Sequence, residues 1–467
     1  MPTNTAILSL LHESSGEHSA TRTFRETPVL DWTLNRLFRA NQLSQTIILC
    51  WDDQRPDVSP IASARGAQVH SQPRTPIPTL DAISAAQRWS DGWRGGLLAT
   101  CHFDRGFHAP SIQQALHSEP GTRDSELLLL IDPSAALIDP ALIDALIAHA
   151  GEFPNRELYF TQSAPGLAPV AIRPILLDRL AKTNSHPGRL LSYWPDTPGR
   201  DPMTTEMCLA VPPAIARSLH RFTLDSRRQI GRIAAATASL NGQLITSDAQ
   251  RLVELLDVQA EPDRQPREVV LELTTRRSAR PIFAPGTHLQ LGRGDMSLET
   301  VDRILEQLTE IDDLRLTLAG AGDPLLHADF AQVLDRVAQA NIPAVHVETD
   351  LFEIAPSVLE RLVSSQIDIL TLHLPAATVA TYQRIMGVDG LAKVVENLKH
   401  LLSVRRSLPL IVPTFTKCRE NLEEMEPWYD HWLRVLGTAV IVGPSDYAGQ
   451  IPDTACADMS PSKRRPC

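Results

Sequence analysis

The sequence predicts an α/β protein of two domains, each built on a mainly parallel sheet. Three observations carry this expectation. In both halves, short runs rich in Val, Ile and Leu alternate with amphipathic stretches of helical period, the pattern of strands covered on both faces by helices. A polar segment holding Pro262 and Pro266, residues 255–267, separates the halves. A length of 467 residues also exceeds what one hydrophobic core usually organises.

In the first domain, residues 1–254, residues 5–11 read as a strand and residues 28–40 as an amphipathic helix with Pro28 at its start. Residues 45–51 form a second strand, with Cys50 in its core-facing pattern. A third apolar run, 126–131, leads into a helix over 137–147, where Asp139 stands ready to cap at Pro140.

The second domain, residues 268–450, opens with a strand at 269–273. A helix follows from Met296, with Ser297 as N-cap and Glu299 in the first turn. The stretch Leu-Thr-Leu-Ala-Gly-Ala-Gly-Asp-Pro, residues 316–324, is a strand running into a tight turn. Further strands fall at 344–350, 367–374 and 411–416, with helical stretches at 378–387 and 390–402. Trp428 and Trp432, spaced i, i+4 on a final helix, face the core. Residues 451–467 are a polar tail.

Composition narrows the function classes. Net charge is −11, which disfavours a nucleic-acid binder, since such proteins need a basic face. Lys182, Lys393, Lys399, Lys417 and Lys463 are the only lysines, so most positive charge is arginine. The N-terminus lacks the basic start of a secretory signal. The longest greasy stretch, 127–150, is broken by Asp132, Asp139 and Asp144 and is not a membrane span. A cytoplasmic protein is expected. The cysteines, Cys50, Cys101, Cys208, Cys418, Cys456 and Cys467, form no Cys-x-x-Cys knuckle. Cys456 and Cys467 read as free thiols or as metal ligands.

The ordered motifs of the second domain resemble the radical S-adenosylmethionine (radical SAM) superfamily, in its spiro-SPASM type. The resemblance covers about residues 266–467. It rests on Glu-Leu-Thr at 272–274, on Ala-Gly-Ala-Gly-Asp-Pro at 319–324, on the strands that follow, and on Thr-Tyr-Gln-Arg-Ile-Met-Gly at 381–387. It implies a partial (β/α) barrel. It also implies a [4Fe–4S] cluster held by Cys-x-x-x-Cys-x-x-Cys, but those positions fall on Arg277, Pro281 and Ala284, none of which ligates iron as a thiolate does. No metal site is therefore expected. The tail at Cys467 resembles the start of a SPASM region.

By the same resemblance, the turn Gly320, Ala321, Gly322, Asp323, Pro324, with Thr349, would bind the methionine end of S-adenosylmethionine. Asp323 stands where the family has Glu. A plain βα turn is the competing account. Arg276, Arg277 and Arg280 either form an anion site in the barrel mouth or stand in solvent. His327 reads as a surface histidine at a helix start, His373 as a satisfied packing residue, and Arg384 as a structural cap.

The first domain resembles the cytidylyltransferase-like members of the GT-A fold, through Thr-Pro-Val-Leu-Asp-Trp-Thr-Leu at 27–34 and Leu-Ile-Asp-Pro-Ala-Leu-Ile-Asp at 137–144. The full expectation is thus an N-terminal GT-A-like (Rossmann-like) domain followed by a partial (β/α) barrel of radical SAM type. Such transferases hold a triphosphate on a Gly-rich basic loop and a Mg²⁺ on an aspartate. Here the loop has only Gly16, with acids at Glu13 and Glu17, although Arg22 and Arg25 are near. The metal position falls on Ser134, with Asp132 two residues away. Asp132 reads as a turn-former before Pro133 or as a substitute ligand.

Three readings of function follow. The first is a degenerate radical SAM relative that binds a small-molecule ligand or a partner without radical chemistry. The second is a nucleotidyl- or glycosyltransferase acting through the first domain. The third is a non-catalytic scaffold.

Overall fold

The structure, a computed structural model, describes residues 3–90, 97–118, 122, 124–197, 199, 201–258, 265–288 and 292–444. The expectations about residues 451–467, with Cys456 and Cys467, lie outside the described residues. Two compact units divide the chain, one holding most residues up to 258 and one holding those from 265 on.

The front unit is built on a seven-stranded sheet. Its strands are β1 (Thr3–Ser9), β4 (Gln45–Trp51), β5 (Gln68–Gln72), β6 (Ser125–Ile131), β7 (Leu158–Thr161), β8 (Val170–Ile172) and β9 (Cys208–Leu209). They run in the order β5-β4-β1-β6-β8-β7-β9. The β5-β4-β1-β6 side is parallel, and β8 pairs antiparallel with both β6 and β7. A separate short ladder joins β2 (Thr23–Phe24) to β3 (Thr27–Pro28). The central strands are apolar on both faces because helices cover both, as parallel sheets require. Ala6, Leu8, Ile48 and Leu129 pack on one side, and Ile7, Ile47, Leu49 and Leu128 on the other.

The expected helices are present with small shifts of boundary: Val29–Leu37, and Pro140–Glu152 capped by Asp139, whose side chain accepts from the amide of Ala141. Asp139 also accepts from the amide of Ala249 at 2.6 Å, so one carboxylate caps two helices. Arg36 is fully buried and donates to four backbone carbonyls, those of Ile138, Leu244, Ile245 and Ser247. Burial lowers its pKa to about 10.

The back unit is a six-stranded, all-parallel sheet: β10 (Glu268–Leu271), β11 (Arg315–Leu318), β12 (Ala344–Thr349), β13 (Ile369–His373), β14 (Leu410–Thr416) and β15 (Val440–Val442). The strands pair in sequence order, the order a partial (β/α) barrel requires. Leu316, Leu318, Val345, Val347, Leu370, Leu372, Ile411 and Phe415 form its core with the helices between them. Ser297 caps helix Leu298–Glu306 by accepting from the amide of Thr300, and Thr378 does the same for Val379–Met386 through Thr381. Trp428 is buried with its ring 5.1 Å from Phe415, and Trp432 packs partly buried against the same core. Arg88 and Trp89 belong to this unit: Arg88 donates to Asp368, and the Trp89 ring lies 5.2 Å from His346.

Candidate functional site

All strands of the back unit point their C-terminal ends to one edge, where barrel folds place their chemistry. The loops after β10 and β11, the last residues of β12 and the end of β13 meet there. Arg277, in the loop after β10, donates through Nε to Asp350 Oδ2 at 2.6 Å and through Nη2 to Asp350 Oδ1 at 2.5 Å. His373, at the end of β13, brings Nδ1 to 3.1 Å from Asp350 Oδ1 and Nε2 to 3.5 Å from Glu348 Oε2. The Asp350 side chain is only 3% exposed.

The electrostatics follow from this packing. Burial alone would raise the Asp350 pKa, but Arg277 and His373 override it and hold the carboxyl far below its usual range. Burial opposes a charged His373, yet its contacts with Asp350 and Glu348 win and raise its pKa. Among the described residues no cation pairs with Asp323. Burial first, and the neighbouring Asp350 charge second, push its pKa up to about 6.

Asp323 caps the short helix Pro324–Leu326 through the amide of Leu325. It also accepts from Thr349 Oγ1 at 2.7 Å and from the Asp350 amide at 3.0 Å. The sequence-predicted residues Asp323 and Thr349 are therefore bonded to each other across two strand ends. The rest of the turn packs inward. The amide of Ala321 donates to Glu272 Oε2 at 2.6 Å, and that of Asp323 to the Arg276 carbonyl at 2.8 Å. Gly320 has φ +150°, and a Cβ there would lie 2.5 Å from the Glu272 side chain. A Cβ on Gly322 would strike the Thr274 carbonyl. Pro324 is buried at the start of the short helix.

One expectation is corrected. His327 is buried, not a surface residue: its Nε2 donates to the Met296 carbonyl at 2.9 Å while Nδ1 accepts from the Asp329 amide. His373, read as a satisfied packing residue, does find partners, because β13 ends where Asp350 and Glu348 can both reach it. Arg276 pairs with Asp295 at 2.5 Å and donates to the Leu326 carbonyl, while Arg280 is exposed. Arg384 donates to Thr381 within its own helix. Sequence reasoning missed Asn421, fully buried, which donates to the carbonyls of Pro375 and Thr416 and so ties the loop after β13 to the end of β14. A polar residue in a loop gives no signal of that bridging role.

The three positions that the family resemblance implies for cluster ligands carry no thiolate. At the three ligand positions implied by the family resemblance stand the guanidinium of Arg277, already committed to Asp350, and Pro281 and Ala284, which offer no ligand atom. Among the described residues, no three His, Cys, Asp or Glu gather in a metal-binding group, and Cys418, the cysteine described in this unit, is buried and in no disulfide.

In the front unit, Glu13 folds its loop by accepting from the amide and hydroxyl of Ser19. Arg22 pairs with Glu17, and Arg25 donates to Thr237. Asp132 makes a local turn, its Oδ1 accepting from the amide and hydroxyl of Ser134. Among the described residues no helix is long and apolar enough to cross a membrane.

Comparison with known proteins places these features. No curated protein matches the sequence. Of solved structures, SuiB of Streptococcus suis, bound to precursor peptide SuiA, is similar at 15% identity and TM-score 0.36, over 50% of this chain and 48% of that one. The chain thus spans about half the length of SuiB. A cytidylyltransferase from Leptospira borgpetersenii is similar at 14% identity and TM-score 0.38, over 56% of this chain and all of that one. The family model of the radical SAM superfamily matches residues 283–428, the stretch from the loop after β10 to the final helix, and this part of the chain is a radical SAM superfamily domain.

Proposed function

We propose that the protein is a radical SAM relative that works without the cluster, binding a small polar ligand at the C-terminal edge of its back sheet and doing no radical chemistry. The observation that carries this is the ion pair of Arg277 with Asp350. The position implied for the first cluster thiolate holds a guanidinium instead, and its charge is spent on a buried carboxylate. A cluster delivers the electron that radical chemistry needs. A salt bridge cannot.

The ligand proposed is S-adenosylmethionine. Supporting it are the family match over residues 283–428 and an unspent polar group at this edge. The Tyr382 hydroxyl is buried without a hydrogen-bond partner among the described residues, close enough to Asp350 and Arg277 to feel both charges. A buried hydroxyl is normally paired, and a ligand or water would satisfy it. The amides of Ala321 and Asp323 are engaged within the fold, so they do not form an open cradle for the methionine carboxylate. Placement in the cytoplasm, with no nucleic acid as partner, belongs to the same proposal.

The test is anoxic reconstitution with iron and sulfide, followed by calorimetry with S-adenosylmethionine on iron-free protein. No stoichiometric cluster and saturable, iron-independent binding are expected. A stoichiometric cluster absorbance and EPR signal would sink the reading. Absence of binding by a folded protein would leave the scaffold.

A further inference from the structure

The segment that follows Asp350 holds its backbone under strain. Leu351 and Glu353 both have φ +54°, in the left-handed region that glycine, and less readily Asn and Asp, adopts. Leu351 is fully buried. Glu353 is exposed, and its side chain makes no hydrogen bond or ion pair among the described residues. Strain of this kind persists only where surrounding contacts impose it.

The contacts come from two elements. At the end of β12, Thr349 Oγ1 donates to Asp323 and accepts from the Leu351 amide. The helix Leu391–Val404 supplies the rest. Its Asn397 donates through Nδ2 to the Leu351 carbonyl at 2.9 Å. At its start, the Phe352 ring packs so closely on Gly390 that a Cβ there would lie 2.7 Å from it. Asn397 is buried on a helix face otherwise made of Val394, Leu398 and Leu401. Asparagine is a poor helix former, and its amide is costly to bury unless bonded. The carbonyl it holds accounts for its place there.

Asp350 immediately precedes Leu351, so a change of φ at Leu351 would carry its carboxylate off Arg277 and His373. We infer that residues 350–354 are a strained strap, fastened from the helix Leu391–Val404 by Asn397 and by the seat of Phe352 on Gly390, and that this fastening sets the Asp350 carboxylate on Arg277 and His373. Asn397 is thus a positioning residue that acts on the edge through Leu351. The strap regulates the edge proposed above for the ligand and rests on that reading for its purpose, but its mechanics are measured without any ligand.

The test uses the full chain. The His373 ring is titrated by NMR, its signal assigned by loss in His373→Gln, and the amides of residues 350–354 are followed by hydrogen exchange. His373 faces Asp350 and Glu348 from β12 and Arg277 from the loop after β10, so a displaced Asp350 shows in its titration midpoint. Asn397→Leu removes the donor at similar volume, Gly390→Ala lifts Phe352, and Glu353→Asn eases the strain while leaving the fastening. Asn397→Leu should lower the His373 midpoint by about half a pH unit or more. It should also speed exchange over 350–354 at least about tenfold relative to β11 and β13. Gly390→Ala should act in the same sense, and it decides by the same two readings if Asn397→Leu fails to fold. Glu353→Asn should slow exchange in the strap about threefold and leave the midpoint in place. A folded Asn397→Leu protein with the wild-type midpoint and strap exchange overturns the inference. So does faster exchange spread evenly over the back sheet in both Asn397→Leu and Gly390→Ala, which marks general destabilisation, or faster strap exchange in Glu353→Asn. Absence of S-adenosylmethionine binding would count against the function proposed above and leave the strap standing.

Discussion

Arg277 grips Asp350 with two parallel N–H donors, at 2.6 and 2.5 Å, across 73 residues of sequence. The geometry is the fork-to-carboxylate match that arginine makes and lysine cannot. It joins the loop after β10 to the end of β12. The same loop is also tied by two backbone bonds, from the amides of Arg280 and Ile282 to the carbonyls of Met386 and Ile385.

Breaking one side of this pair is therefore expected to cost more than removing both. Arg277→Ala leaves Asp350 charged and buried, at a cost of about 3–5 kcal/mol. Arg277→Met with Asp350→Leu removes the charges together, and most of that loss should be recovered. Urea denaturation of the three proteins checks this. Equal losses in the single and double variants would mean that the pair is not the organising contact.

Stability should fall as pH rises through the weakly acidic range, with Asp323 as one source. Its folded pKa, about 6, lies above the ordinary aspartate value of 3.8. The protonated form is thus favoured in the folded state, and that stability, complete below pH 4, is lost as pH rises to about 6. His373, also raised, contributes in the same sense at higher pH: its share is complete below the unfolded pKa and lost through the folded one. Asp350, depressed, acts oppositely, and its contribution disappears only in strong acid. Melting curves between pH 4 and pH 7 should show a decline that is smaller in Asp323→Asn. An unchanged slope in that variant would remove Asp323 from the account.

Gly320→Ala should destabilise the back unit by more than about 1 kcal/mol. The φ of +150° is one that side chains rarely adopt, and the new methyl would collide with Glu272. Gly292→Ala is the control, since a Cβ there meets nothing within 4 Å, and it should stay within about 0.5 kcal/mol of wild type. A similar cost at both positions would show that the turn is looser than its contacts imply.

The front unit is expected to show no turnover of CTP with an acceptor sugar above background, in Mg²⁺ or Mn²⁺. Arg22 and Arg25 are engaged by Glu17 and Thr237, and Asp132 by Ser134 and Arg105. The groups that would meet a triphosphate are thus committed elsewhere, and loss of one transition-state contact alone costs roughly a hundredfold in rate. Metal-dependent pyrophosphate release that disappears in Asp132→Asn would reverse this reading.

The strands that sequence reasoning found are those with long apolar runs. β4 and β14 are apolar over most of their length, and their bounds were legible almost to the residue. β5, Gln-Val-His-Ser-Gln, has one large apolar side chain and lies at the edge of the front sheet, so no period marks it. β15 is three residues long, too short for any pattern. The site was legible as a list of positions but not as an arrangement. Asp323 and Thr349 were singled out separately, and only the pairing of β11 with β12 brings them within a hydrogen bond. The partners that satisfy His373 were not legible, because nothing local says that Glu348 and Asp350, 23 or more residues earlier, flank it.

The cage of carbonyls around Arg36 sets a lower limit on where the front unit can be cut. Three of its four acceptors, on Leu244, Ile245 and Ser247, come from a segment more than 200 residues downstream. Trimming the chain anywhere before Ser247 would strand a guanidinium in the interior with acceptors missing, a penalty of several kcal/mol against a stability that is seldom more than about 15. The stretch of short helical turns over Ala238–Thr246 is thus a keystone and not a spacer, and an expression fragment of this half should keep it whole.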